Sequence, residues 1–90
     1  MSRATNFYAG PSVLPVEIFQ EIADDMVDYQ GTGLSLMETS HRSKTYDEVH
    51  NGAVEMMKEL FSIPENYKVL FLGGGATMQF SMIPMNFLAG

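Results

Sequence analysis

Two groups of residues in this chain have types and spacings suited to chemistry on anions. The first lies in Lys68 to Phe80, KVLFLGGGATMQF, where an apolar run reads as a buried strand, three glycines interrupt it and a helical pattern follows. Strand, glycine turn and helix form the arrangement that cradles a phosphate. The glycines let the backbone approach an oxyanion, and the first free N–H groups of the helix point at it with the positive end of the helix dipole behind them. Ala76 and Thr77 are small enough to permit that approach, and the Thr77 hydroxyl adds a donor. Such a site binds a dianion without a charged side chain. The common nucleotide loops do not fit: Gly73 and Gly75 match the start of G-x-G-x-x-G, but Met78 occupies the third glycine position and no Gly-Lys-Ser/Thr follows. A tight strand-to-helix connection explains the three glycines as well as a phosphate does, so the local pattern leaves both readings open.

The second group is in Leu34 to Lys44, LSLMETSHRSK, where His41 and Arg42 stand side by side, Lys44 follows, and Thr39, Ser40 and Ser43 surround them. Arginine offers a planar fork that matches a carboxylate or phosphate, and histidine adds a second donor. The bland alternative is an exposed loop before a helix, with Arg42 in a surface ion pair. A metal site is not expected, because His41 and His50 lack a spaced third ligand.

Three helices and one strand must position these groups. Asn6 to Pro15, NFYAGPSVLP, reads as an extended leading segment with a turn at Gly10-Pro11, and Phe7, Val13 and Leu14 are expected to pack. From Pro15 to Tyr29 the apolar residues Ile18, Phe19, Ile22, Met26 and Tyr29 recur at helical spacing, with Glu17, Glu21, Asp24, Asp25 and Asp28 expected on a solvated outer face. Gly31 and Gly33 mark its stop. Thr45 and Glu48 have capping-box spacing and open a second helix to about Phe61, with Gly52 inside it allowing close packing. Ile63-Pro64-Glu65-Asn66 turns the chain into a strand over Tyr67–Leu72. Thr77 to about Leu88 is helical in pattern, with a kink or early end expected at Pro84 and burial on more than one side because Met78, Met82 and Met85 make it apolar nearly all round.

Composition narrows the function classes. Ninety residues without cysteine make at most one small domain, with neither a disulfide nor a cysteine-based metal site. A formal charge of −6 with five Lys and Arg argues against nucleic acid as a partner. No apolar run suggests a signal peptide or a membrane span, which makes a cytoplasmic location the expectation. The hydrophobic fraction of 46%, with eight Met and six Phe, is generous for so short a chain, and Leu88-Ala89-Gly90 brings no polar closing segment, so the sequence reads as one incomplete unit.

Three blocks in order, NFYAGPSVLP, GTGLSLMETSHRSKTYDEV and NYKVLFLGGGATMQFSMIPMNFL, resemble the phosphoserine aminotransferases, a family of class V, fold-type I pyridoxal-phosphate enzymes. The resemblance runs almost from end to end. It implies an α/β fold of which this chain is the amino-terminal part: a leading segment and two helices over 1–66, then over 67–90 the first strand and helix of the large cofactor domain. It also implies pyridoxal 5'-phosphate as cofactor, its phosphate bound by Gly75, Ala76 and Thr77. Arg42 would hold a carboxylate of glutamate, and His41 would lie near the anionic end of phosphoserine. Some relatives carry a basic residue where this chain has Ala76, which leaves the substrate phosphate more dependent on His41 and Arg42.

The family moves an amino group between glutamate and 3-phosphohydroxypyruvate in serine biosynthesis, as homodimers acting on small-molecule substrates. Its members are several times longer than this chain, and their Schiff-base lysine, ring-stacking aromatic and pyridinium-pairing aspartate correspond to positions after Gly90. Lys44 in a polar loop, Lys58 among surface positions of a helix and Lys68 at a strand's start lack the desolvated setting that activates an amine, so no catalytic residue is expected within the ninety. Three other readings stay open: a related class V aminotransferase with another substrate, a phosphate-binding module without chemistry, and an interaction fragment, which exposure of Met78, Met82 and Met85 would favour.

Overall fold

A computed structural model of the chain describes residues 2–88. The regular elements are α1 (Val16–Val27), a 3₁₀ turn at Leu36–Glu38, α2 (Lys44–Leu60) and α3 (Gly75–Phe87). They fall into two compact units, Met1–Asp47 and Glu48–Gly90.

In the first unit, residues 2–15 take no regular structure, with bends at Ala9–Pro11. Arg3 ties this stretch down: its guanidinium donates to the Leu14 carbonyl at 2.6 Å and lies 5.6 Å from the centre of the Phe19 ring. Phe7, expected to pack, is 93% exposed, and Val13 and Leu14 are exposed as well. Helix α1 begins one residue after Pro15, which serves as its N-cap without a side-chain bond, and ends at Val27, short of Tyr29. The Asp28 carboxylate accepts from Gly33 N–H at 2.7 Å, and Tyr29 N–H donates to Leu34 carbonyl at 2.8 Å, so Asp28 closes the following turn rather than only facing solvent. Ile22 and Met26 of α1 meet Leu36 and Met37 of the 3₁₀ turn around a shallow cleft of about 130 Å³.

The second helix starts at Lys44, one residue before Thr45, and no box forms between Thr45 and Glu48. Ser43 is the cap: its Oγ accepts from Tyr46 N–H at 3.1 Å. A capping box does occur, but at Ser35-Leu36-Met37-Glu38, where Ser35 Oγ accepts from Met37 N–H and Ser35 N–H donates to the Glu38 carboxylate, both at 3.1 Å. At its far end α2 closes with Ile63 N–H on the Lys58 carbonyl at 2.9 Å and Ser62 N–H on Glu59 at 3.3 Å, with Ser62 left-handed at φ 50. This is the Schellman pattern with serine where glycine is usual. Gly52 has nothing within 4 Å of where a Cβ would stand, so the close packing expected there does not occur among the described residues.

In the second unit, Tyr67–Leu72 pairs with no strand among the described residues, because a ladder needs a neighbour that these residues do not supply. The segment is still held: Tyr67 N–H donates to Pro64 carbonyl at 3.0 Å, and the Phe71 and His50 rings meet edge-on at 5.7 Å. Leu70 and Leu72 share a groove of about 420 Å³ with Met82, Ile83 and Phe87 of α3. Helix α3 begins at Gly75, two residues before Thr77, and runs through Pro84 to Phe87. Ala89, Gly90 and Met1, and with them the closing sequence Leu88-Ala89-Gly90 in part, lie outside the described residues.

No apolar side chain among the described residues is buried. The apolar stripes expected as core are therefore formed but uncovered, with Phe80 and Met85 each 82% exposed. Periodicity places the stripe and does not report what lies on it.

Candidate functional site

The glycine turn opens α3 with two residues in the left-handed region. Gly74 caps α3 in the left-handed region (φ 92, ψ −3), and Gly75 follows at φ 58. The first backbone bond of the helix runs from Met78 N–H to the Gly74 carbonyl at 3.1 Å, which leaves the N–H groups of Gly75, Ala76 and Thr77 without intrahelical acceptors. These three donors and the Thr77 hydroxyl, which makes no bond among the described residues, occupy one exposed turn at the positive end of a 13-residue helix.

Position 74 tolerates only glycine on two grounds. Its φ is one that side chains rarely adopt, and a Cβ there would drive into the Met78 side chain, 2.7 Å from Cγ. Gly75, Ala76 and Thr77 are the first three residues of α3, with Gly75 in the helix rather than last in the turn.

His41 and Arg42 lie in the loop between the 3₁₀ turn and α2, both exposed. Lys58 pairs with Glu55 at 3.7 Å, whereas Arg42 is in no ion pair among the described residues. The hydroxyls around it have another use than ligand binding. Thr39 Oγ1 donates to Ser35 carbonyl, Ser40 Oγ accepts from Arg42 N–H at 3.1 Å, and Ser43 Oγ donates to Ser40 carbonyl at 2.7 Å. They build the loop that presents the two basic side chains. Lys44, expected in that loop, is instead the first residue of α2, Lys58 is ion-paired, and Lys68 is exposed, so none sits in an apolar pocket. Among the described residues no group of His, Cys, Asp and Glu could hold a metal ion.

The two clusters belong to different units, His41 and Arg42 to 1–47 and Gly75 to Thr77 to 48–90. Sequence reasoning missed the Ser35 capping box and the cap at Ser43. The S-x-x-E spacing of Ser35 and Glu38 was a readable signal, and Ser43 was obscured by the competing spacing of Thr45 and Glu48.

The family model of class-V aminotransferases matches residues 4–90. The chain belongs to this family. It is 56% identical over 87 residues to a phosphoserine aminotransferase of Lysinibacillus sphaericus, covering 97% of this chain and 24% of that protein. The phosphoserine aminotransferase of Bacillus subtilis is 53% identical over 88 residues, again across 24% of its length. Among solved structures, the phosphoserine aminotransferase of Bacillus circulans subsp. alkalophilus superposes with a TM-score of 0.91 at 53% identity, over 97% of this chain and 24% of that one. A pyridoxal-phosphate-bound phosphoserine aminotransferase of Trichomonas vaginalis gives 0.91 at 43% identity, over 96% and 25%. The chain thus spans about a quarter of the class-V aminotransferases it matches, and its fold is that of their amino-terminal portion, within fold-type I.

Proposed function

We propose that the whole protein is a phosphoserine transaminase of serine biosynthesis, moving an amino group between glutamate and 3-phosphohydroxypyruvate, and that these ninety residues contribute its phosphate anchor and part of its substrate-anion recognition. The observation that carries this reading is the first turn of α3, with three unpaired N–H groups, the Thr77 hydroxyl and a position 74 that only glycine fits. Identities of 51–56% to proteins named phosphoserine aminotransferase support the substrate assignment over a related class V enzyme.

The phosphate of pyridoxal 5'-phosphate fits this donor set. Backbone N–H groups of Gly75, Ala76 and Thr77 hold its oxygens, the α3 dipole favours their charge, and Thr77 Oγ adds a bond to a charged acceptor. Bound there, the cofactor supplies the electron sink for amino transfer. Arg42 presents its fork to a substrate carboxylate, with His41 beside it as a second donor to an anionic group. These residues bind and orient. Bond making belongs to groups contributed by sequence outside 1–90, among them the Schiff-base lysine. The exposed apolar faces of α1 and α3 fit the same picture, since the matched relative, of which this chain covers 24%, has about three times as much chain again to lay against them. A cytoplasmic homodimer is part of the proposal.

The test is Thr77→Val in the full-length protein, which keeps the shape and deletes the donor. Loss of a bond to a charged acceptor predicts pyridoxal-phosphate affinity lower by roughly tenfold or more. Unchanged affinity removes Thr77 from the cradle.

A further inference from the structure

The loop bearing His41 and Arg42 is held by hydroxyls at each side of the basic pair. Upstream, Thr39 Oγ1 donates to the carbonyl of Ser35, which at 8% exposure is the one buried polar residue described and is itself fixed by the box with Glu38. Ser40 Oγ accepts Arg42 N–H at 3.1 Å. Downstream, Ser43 returns two bonds to the Ser40 carbonyl, from Oγ at 2.7 Å and from N–H at 3.0 Å, while the same Oγ caps α2 by accepting Tyr46 N–H. The backbone root of Arg42 is therefore tied on one side to the 3₁₀ turn and on the other to the first turn of a 17-residue helix.

Resting on the substrate role given above to Arg42, we propose that Ser40 and Ser43 are positioning residues that set the root of Arg42 and so determine how tightly the substrate carboxylate is held. A guanidinium sits at the end of a long flexible stem, and its fork recognises a carboxylate only over a narrow range of directions. Arg42 is in no ion pair among the described residues, and the group of Arg42 that the loop holds is its backbone N–H. Ser43 Oγ both donates and accepts within the loop, and Ser40 Oγ accepts from Arg42 N–H. Their effect reaches the substrate through Arg42.

The test uses the cofactor-loaded full-length enzyme. Ser40→Ala removes the acceptor of Arg42 N–H without touching the α2 cap. Loss of one such bond predicts a glutamate KM higher by about 3- to 10-fold, with kcat and the cofactor's visible absorbance unchanged. Ser40→Thr keeps the oxygen and should return KM to near the parental value. If Ser40 acts through Arg42, Ser40→Ala should add little once Arg42→Lys is in place, because the two changes then share one interaction. An unchanged KM in Ser40→Ala, or the same fold loss in both backgrounds, overturns the inference. Should Arg42→Lys alone leave the glutamate KM untouched, the substrate role of Arg42 fails and this inference with it. A raised KM in Arg42→Lys beside a normal Ser40→Ala sinks only the positioning role.

Discussion

Replacing Gly74 by alanine should weaken cofactor binding far more than its single methyl suggests. At φ 92 an L-residue carries a cost of about 1–2 kcal/mol. The new Cβ would also stand 2.7 Å from Met78 Cγ and closer still to its Cβ, which is attached to the helix backbone and cannot swing away. Overpacking of that kind costs about 1–3 kcal/mol. The turn can absorb the strain only by moving, and Gly75, Ala76 and Thr77 move with it. A penalty of at least about 2 kcal/mol, taken out of phosphate binding, corresponds to roughly 30-fold in affinity. The assay is titration of the cofactor-free full-length protein with pyridoxal phosphate, followed by visible absorbance. Gly73→Ala is the control, since Gly73 has no positive φ and nothing within 4 Å of its Cβ position, and it should stay within about twofold of the parent. If Gly74→Ala binds as tightly as Gly73→Ala, the argument that this turn is shaped for a phosphate is wrong.

Other outcomes follow from the same geometry. Arg42→Lys keeps the charge but loses the fork, so the glutamate KM should rise by about tenfold while pyridoxal-phosphate affinity, read by the same titration, stays level. Ser62→Gly relieves a left-handed serine in the Schellman turn after α2 and should stabilise the full-length protein by about 1 kcal/mol, measured as a higher denaturant midpoint at unchanged slope.

The parts of this fold that depend on near neighbours were legible in the sequence. Apolar residues at three and four spacings from Ile18 to Met26 and from Tyr46 to Leu60 gave two helices to within about two residues, and the glycine run gave the turn. Helix ends were harder, because Ser43 and Thr45 both offer a capping hydroxyl and only the bond from Ser43 to the Ser40 carbonyl favours the first. Tyr67–Leu72 has the composition of a strand, yet a strand exists only by pairing, and no partner lies among the described residues. Periodicity places Phe19 and Ile22 on the apolar face of α1, but it reports the face of a helix and not what lies on it, and both are exposed. Of the site, the glycine turn and the His41–Arg42 pair were visible as residue types. The work of Ser40 and Ser43 was not, since hydroxyls beside basic residues look like ligand donors until their hydrogen bonds are known.

The measurement that bears most directly on the whole account is amino transfer by the purified full-length protein, supplied with pyridoxal phosphate, glutamate and 3-phosphohydroxypyruvate. The account predicts one 2-oxoglutarate formed for each O-phosphoserine, with little transfer to pyruvate, the analogue that lacks the phosphate. Transfer to pyruvate but not to 3-phosphohydroxypyruvate would contradict it and make the protein a class V aminotransferase for another substrate.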